Sequence, residues 1–149
     1  MGKQEILDSF YTAFKNGDSE KMNSLYSKKV TFNDAIFENL NYKQVTNMWT
    51  SLLATKEQSQ FVVDFEIKNL NEEIFVVWTA TYLFGPKRRK VVNVVESRMT
   101  IQDEKIIVHT DSFDFYNWAK QAIGGPAIIF GKQKWFQKKV AAKAMNKLK

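Results

Sequence analysis

The sequence predicts an α+β fold in which one long, curved antiparallel sheet forms a cone around amino-terminal helices. Two patterns predict it. Apolar residues recur at helical spacing through the first 55 residues, and from residue 60 their period changes to two over four successive segments. Helices segregated from an antiparallel sheet bury one of its faces, and long twisted strands then leave an open mouth that is a natural ligand site.

Three helices and a short strand precede the predicted sheet. Residues 3–15 place their apolar side chains on one helical face, and a glycine follows as a stop signal. Asp18 or Ser19 then caps a short second helix that ends near residue 28. The stretch VTFND, residues 30–34, is predicted to be a short strand running into a loop, and residues 42–55 form the third helix.

The sheet itself is predicted from four segments with alternating polarity, residues 61–70, 73–85, 90–101 and 105–115. Apolar residues occupy both alternating positions of the second segment, which predicts that both faces of this strand are covered. On the fourth segment, period two places four residues on one face: Ile107, His109, Asp111 and Phe113.

Two helices are predicted after the sheet. The first begins at residue 114 or 115, with Asp114 as its cap, and ends at Gly124-Gly125-Pro126; the second continues to the end of the sequence. A chain of 149 residues is long enough to bury a core as one unit. We therefore expect a single domain over residues 1–149, in which residues 126–149 are a basic carboxy-terminal helical extension.

The composition excludes several classes of site. The chain has no cysteine, which rules out disulfides and thiolate chemistry, and its single histidine rules out a multi-histidine metal site within one chain. No glycine-rich phosphate loop follows a strand. We therefore expect no metal and no cofactor. The stretch MGKQEILDSF has no apolar run typical of a secretion signal, so a cytoplasmic location is expected.

Positive charge is concentrated in two places. The net charge is +6, and residues 85–90 (GPKRRK) and 132–149 are both basic, the second with seven lysines and no acid. Such runs are usually solvated faces, and these lack the exposed strand aromatics of nucleic-acid readers, so no nucleic-acid partner is expected. For the terminal helix we favour packing on its own sheet or across a dimer over binding to an anionic membrane surface.

Two stretches carry a family resemblance. Residues 10–37 contain Gly17-Asp18, Leu25-Tyr26, Val30, Phe32 and Asp34 in the order typical of the nuclear transport factor 2-like superfamily, with Ala35 in place of the usual proline. Residues 109–131, HTDSFDFYNWAKQAIGGPAIIFG, are similar to a closing segment of SnoaL-like proteins. The chain thus resembles the SnoaL-like polyketide cyclase and ketosteroid isomerase-like branch, which implies a cone-shaped fold and frequent homodimers.

The resemblance implies a role for Asp34, which falls where the isomerases carry the carboxylate that moves a proton beside a carbonyl. If Asp34 is partly buried between its apolar neighbours, its pKa is raised toward a range useful for proton transfer. Aspartate also closes loops through hydrogen bonds to the backbone, and this alternative role of Asp34 stays open. The isomerases' donor tyrosine on the first helix is replaced by Phe10, and Tyr11 lies about 100° away around the helix. The second donor position falls near Ser97. Authentic ketosteroid isomerase activity is therefore not expected.

His109 and Asp111 complete the predicted catalytic set. Two residues apart on one strand face, they lie about 7 Å apart along the strand, within side-chain or water-bridged reach. An acid beside an imidazole orients its tautomer. The resemblance to the cyclases implies Asp34 as base, with His109, steadied by Asp111, as its proton partner. The alternative, in which His109 and Asp111 only tie the sheet to the helices, stays open.

Four aromatic residues are predicted as ligand contacts: Phe14, Trp49, Trp78 and Tyr82. Ordinary core packing is the alternative for each. The sequence thus predicts a protein that binds a small, largely apolar molecule and performs acid–base chemistry of isomerase, cyclase or hydrolase type on a carbonyl compound. The alternatives are a non-catalytic ligand-binding or dimerisation module, and peripheral membrane association through the basic tail.

Overall fold

A computed structural model describes residues 1–71 and 73–148 and confirms the predicted α+β architecture. The helices are α1 (Lys3–Asn16), α2 (Ser19–Ser24), α3 (Tyr42–Ala54), α4 (Phe115–Ala122), α5 (Gly125–Phe130) and α6 (Lys134–Asn146). The strands are β1 (Tyr26–Asn33), β2 (Val62–Asn69), β3 (Ile74–Phe84), β4 (Arg89–Gln102) and β5 (Lys105–Ser112). They form one sheet in the order β1-β5-β4-β3-β2, in which β1 is parallel to β5 and all other pairs are antiparallel.

Local signals define the helix ends that the sequence predicts. Gly17 has φ +74°, and its N–H and that of Asp18 return to carbonyls of the last turn of α1. The Asp18 side chain accepts a hydrogen bond from the N–H of Lys21 at 3.0 Å and caps α2. Asn41 and Gln44 form a capping box at the start of α3. These caps stabilise three helices that pack their apolar sides against the concave face of the sheet.

The first strand begins earlier than predicted. Helix α2 ends at Ser24 rather than near residue 28, and β1 begins at Tyr26 rather than at residue 30. Tyr26 pairs with Ile106 of β5, whose N–H donates to the carbonyl of Leu25 at 2.9 Å. This pairing is long-range, so local propensity in the sequence does not reveal it.

The outer face of the sheet is more open than predicted. On β3 the residues Phe75, Val77, Thr79 and Thr81 are half-buried, so the second face of this strand, predicted to be covered, is covered only in part. Apolar side chains of neighbouring strands are exposed on the same face, and Val62 and Val94 are each more than half exposed. Homodimerisation, which the resemblance implies, stays a prediction.

Strand β5 contains a bulge that changes the predicted alternation. Val108 pairs with Thr100 and Ile106 pairs with Ile101, so Ile107 is the extra residue between them. Ile106 is therefore buried and Ile107 only half-buried, the reverse of strict alternation. Beyond the bulge the alternation resumes, and His109 and Asp111 point into the core as predicted.

The terminal helices differ from prediction in number and in role. Helix α4 lies along the part of β4 that extends past the end of β5, and the Gln121 side chain both accepts from the N–H of Val92 (2.8 Å) and donates to its carbonyl (3.1 Å). This amide replaces a missing strand partner.

The segment predicted as a single terminal helix forms two helices, α5 and α6. The chain turns between them at Gly131, where a Cβ would collide with the carbonyl of Ala127. No helix in residues 1–71 and 73–148 is long and apolar enough to cross a membrane.

Candidate functional site

One cavity of about 250 Å³ lies on the concave side of the sheet, between α3, α4 and the loop after β1. Eight of its sixteen lining residues are aromatic, and only three others are polar or charged: Asp34, Asn93 and Asp111. Two wider surface grooves are lined largely by lysines and other polar residues, and neither includes a predicted site residue. The cavity is therefore the candidate site.

Three of the four predicted ligand contacts line this cavity. Trp49, Trp78 and Tyr82 contribute to its wall. Phe14 is not among the lining residues; its ring packs behind the wall, 5.1 Å from the ring of Trp49 and 5.0 Å from that of Trp78. Phe14 therefore supports the aromatic wall from the core.

Asp34 lies in the loop after β1 and reaches the cavity wall. Its Oδ1 accepts hydrogen bonds from the N–H groups of Ile36 (2.8 Å) and Phe37 (2.7 Å), so the loop-closing role considered for it is present as well. Burial raises the pKa of Asp34 from 3.8 to about 6, against the opposing effect of these two hydrogen bonds, and the charge of Asp111 raises it further. The side chain thus changes protonation close to neutral pH.

His109 and Asp111 lie in contact, His109 Nε2 being 2.7 Å from Asp111 Oδ1. The Ser97 hydroxyl donates to the same Oδ1, and the indole N–H of Trp78 donates to Ser97 Oγ at 2.8 Å. On its other side, His109 Nδ1 is 2.8 Å from the hydroxyl of Tyr26. Asp111 is therefore held by two donors on one oxygen.

The hydrogen-bond directions follow from the groups involved. The indole N–H of Trp49 only donates, and it donates to the Tyr26 oxygen at 2.9 Å. A neutral imidazole donates from Nε2 to a carboxylate oxygen, and its Nδ1 then accepts the proton that the Tyr26 hydroxyl donates. Every bond in this chain then runs toward the carboxylate, which fixes the tautomer and the orientation of the ring.

His109 does not line the cavity. Its side chain is 1% exposed and lies between the rings of Phe10 (5.7 Å) and Phe32 (4.9 Å), both edge-on. The structure therefore brings Asp34 and Asp111 to one cavity and places His109 behind Asp111.

Tyr11 is buried together with Phe10, although the two side chains lie about 100° apart around α1. The sheet curves around α1, so that a wide sector of this helix is enclosed, and the Tyr11 ring stacks on Phe65 at 5.3 Å. Burial raises its pKa well above 10, and the charge of Asp111 adds to this effect. The Tyr11 hydroxyl lies beside Ser97 but outside hydrogen-bond geometry with any residue of the described ranges.

Sequence reasoning missed Asn93 as a site residue and left Ser97 without a role. Asn93 is 8% exposed, lines the cavity and makes no side-chain hydrogen bond with the described residues; Ser97 is fully buried. Both lie on β4 at positions that alternate with buried Val91, Val95 and Met99. The sequence signal that could have identified both residues is a polar side chain at a position where the alternating pattern of β4 requires an apolar one.

No group of three or more acidic or histidine side chains within residues 1–71 and 73–148 is arranged to hold a metal ion. The polar groups of the cavity are thus two carboxylates, one amide and the hydroxyl of Tyr82. Such a set suits proton transfer and hydrogen bonding to a small ligand.

A sequence model of the SnoaL-like domain matches residues 7–109, which span Asp34 and end at His109. This chain belongs to the SnoaL-like domain family. A search of curated proteins finds no match to this SnoaL-like protein. Solved structures resemble it across most of their length, and at these identities the likeness concerns the fold alone.

Three of those structures show that proteins with different names share this fold. A candidate polyketide cyclase from Silicibacter sp. TM1040 has a TM-score of 0.64 at 14% identity, covering 80% of this chain and 93% of its own. A hypothetical protein with a ketosteroid isomerase-like fold from Catenulispora acidiphila, in complex with trimethylamine, has a TM-score of 0.64 at 12% identity, covering 83% of this chain and 95% of its own. An LEH-like epoxide hydrolase from M. tuberculosis has a TM-score of 0.58 at 16% identity, covering 85% of this chain and 93% of its own. The nuclear transport factor 2-like fold predicted from the sequence is confirmed.

Proposed function

We propose that this SnoaL-like protein is an acid–base enzyme that moves a proton beside the carbonyl group of a small, largely apolar compound. One observation carries the proposal: Asp34, with a pKa of about 6, lies in an aromatic cavity together with a second carboxylate, Asp111. A base whose pKa is close to the working pH both accepts and returns a proton efficiently. The reaction class is isomerisation or ring closure, and the same base activates water in a hydrolase-type variant.

Asp34 is the base in this proposal. Two backbone N–H groups hold its Oδ1, which leaves Oδ2 to take the proton from carbon. Near pH 7 a carboxyl group of pKa about 6 is mostly ionised, and its conjugate acid is strong enough to return the proton to the product. Half of the residues that line the cavity are aromatic, and an apolar lining strengthens electrostatic interactions inside it.

The donors to the carbonyl oxygen are Tyr82 and Asn93. The Tyr82 oxygen accepts from the indole N–H of Trp118 at 2.8 Å, so its own proton is available to a ligand, and the Asn93 amide lines the same cavity. These groups take the place of the first-helix donor that Phe10 lacks. One such donor is worth about 3 kcal/mol in transition-state stabilisation.

Asp111 provides a second charge in the cavity, and His109 acts through it. The 2.7 Å contact between His109 and Asp111 lets the imidazole orient the carboxylate without touching the substrate. His109 is thus a positioning residue in this proposal, whereas Asp34 and Asp111 contact the ligand.

The proposed chemistry is tested by following deuterium uptake from heavy water into carbon atoms beside the carbonyl of small apolar ketones, by mass spectrometry across a range of pH. We expect kcat/KM to rise with an apparent pKa of about 6, because the ionised form of Asp34 is the base. A variant with Asp64→Asn, an exposed acid on β2, is the matched control and keeps the same profile. A rate that does not change between about pH 5 and 7 contradicts Asp34 as the base.

A second candidate function is favoured by the basic tail. Four apolar side chains there are exposed by 42–72%: Ile128, Ile129, Phe130 and Trp135. Residues 115–149 contain eight lysines and no acidic residue. Exposed apolar side chains flanked by lysines match the interfacial region of an anionic membrane. We propose peripheral membrane association through this patch, independent of the cavity.

Vesicle sedimentation tests this second function. We expect the protein to bind vesicles with about 30% phosphatidylserine and not neutral vesicles, and to dissociate when salt is raised from about 0.1 to 0.5 M, because charge attraction is screened. Ile129→Asp is expected to weaken binding at least about tenfold, since it places a charge in the apolar contact. Val94→Asp, at an exposed valine on the sheet, is the matched control. Equal binding by both variants contradicts the proposed patch.

A further inference from the structure

We infer that the ligand of the cavity is a small organic cation, a protonated or quaternary amine that also carries the reacting carbonyl group. This inference rests on the proposed function, because it names the class of compound that the same cavity takes. It is drawn from the balance of charge in the cavity, from the surface that the tryptophans present, and from an unpartnered amide.

The cavity is acidic in a basic protein. Asp34 and Asp111 both line it, while no lysine, arginine or histidine of the described residues does so, although the chain as a whole has a net charge of +6. Buried carboxylates are usually paired with a cation, because burying an unpaired charge is costly. Here the complementary charge is left for the ligand to supply.

Both carboxylates present one unoccupied oxygen. Asp34 Oδ1 is held by two backbone N–H groups, and Asp111 Oδ1 by Ser97 and His109. The Oδ2 atom of each accepts no hydrogen bond from the described residues. The free oxygen of Asp111 suits an ammonium group, and that of Asp34 remains the proton acceptor of the proposed reaction.

Three tryptophans present ring surface rather than N–H groups to the cavity. The indole N–H of Trp49 donates to Tyr26, that of Trp78 to Ser97, and that of Trp118 to the hydroxyl of Tyr82. None of the three is left to donate to a ligand, so the tryptophans contribute their electron-rich rings. Tryptophan rings attract cations more strongly than those of other aromatic residues, and aromatic-lined sites of this kind recognise quaternary ammonium groups.

Asn93 provides the independent sign of a ligand. Its side chain is 8% exposed, lines the cavity and has no hydrogen-bond partner among the described residues. Its amide oxygen and nitrogen are not fully enclosed by the described residues, so they are open to the cavity and available to form hydrogen bonds with a ligand. Asn93 therefore pairs with the neutral polar end of the ligand, its carbonyl group, while Asp111 holds the cationic end and Asp34 remains the base.

The size of the cavity limits the ligand further. Its volume of about 250 Å³ lies below the range of about 300–1,000 Å³ that is usual for drug-sized ligands. The expected compound is thus a short amino ketone or a related ammonium-bearing carbonyl compound rather than a large fused-ring molecule.

The test compares choline with dimethylbutanol, the neutral isostere in which carbon replaces the nitrogen. We expect titration calorimetry at neutral pH to show choline bound at least about tenfold more tightly, with quenching of tryptophan fluorescence. Asp111→Asn keeps the shape and the acceptor for Ser97 and His109, and it is expected to remove that preference. Asp64→Asn, at an exposed position, is the matched control and retains it.

Three outcomes overturn the inference. Equal or tighter binding of dimethylbutanol shows a neutral ligand, and the acid–base proposal then still stands on its deuterium-exchange test. A preference for choline that survives in Asp111→Asn shows that the cation binds elsewhere. Binding of neither probe shows that the cavity does not recognise an ammonium group, and the exchange assay again tests the proposed function separately.

Discussion

Replacement of Asp34 by Asn is expected to lower the rate of carbonyl-adjacent proton exchange by about 10²–10⁴-fold, the usual contribution of a general base. The amide keeps an oxygen that accepts from the N–H groups of Ile36 and Phe37, so the loop is preserved while the proton acceptor is lost. Exchange assays on the purified variant and on Asp64→Asn measure this effect. An Asp34→Asn variant with full activity would contradict the proposed mechanism.

The same substitution is expected to stabilise the fold above pH 6. Because the pKa of Asp34 is about 6 in the folded protein and near 3.8 otherwise, the folded state binds its proton more tightly. The resulting stabilisation is complete below about pH 3.8 and is lost as the pH rises through about 6. The shift corresponds to roughly 3 kcal/mol, and solvent screening of this half-buried group reduces it to about 1–2 kcal/mol.

Urea unfolding at several pH values measures this second effect. We expect Asp34→Asn to exceed the wild type in free energy of unfolding by about 1–2 kcal/mol at pH 8 and to show no advantage near pH 4. If the substitution raises stability and lowers activity, Asp34 contributes to function while it destabilises the fold. A variant that is less stable than the wild type at pH 8 would show that the charge of Asp34 stabilises the loop.

Replacement of His109 by Ala is expected to reduce the free energy of unfolding by about 3–5 kcal/mol. The substitution removes a donor from the buried Asp111, leaves the Tyr26 hydroxyl without its acceptor, and opens a cavity between Phe10 and Phe32. Urea unfolding with constant slope measures the loss. Thr110→Ala, at the next and half-buried position of β5, is the matched control and is expected to cost far less.

A milder variant keeps the prediction testable if His109→Ala does not fold. Tyr26→Phe deletes only the hydroxyl that joins Trp49 to His109, and it is expected to cost about 1–3 kcal/mol because both of these groups lose a buried partner. A cost below about 0.5 kcal/mol for Tyr26→Phe would show that the chain of hydrogen bonds does not stabilise the core.

The candidate site was predicted only in part. That Asp34 and Asp111 reach one cavity followed from the family resemblance, since they lie 77 positions apart in the sequence and no spacing rule connects them. The contact between His109 and Asp111 followed from period-two geometry. Asn93 and Ser97 were visible as polar residues at apolar positions of β4, but which of them lines the cavity depends on how far α4 extends along the sheet.

By itself the sequence determined the elements whose signals are local: α1 with its glycine stop, α3 with its apolar residues at helical spacing, and the alternating strands β2, β3 and β4. It also determined the residue types available for chemistry. Only the tertiary structure decided the start of β1 at Tyr26, the bulge at Ile107 and the burial of Tyr11, because each depends on a partner distant in the sequence. The same holds for the directions of the hydrogen bonds that end at Asp111. The periodicity of apolar residues indicates which face of a helix or strand is buried. Pairing register and side-chain partners depend on a second element as well, so the pattern within one element does not determine them.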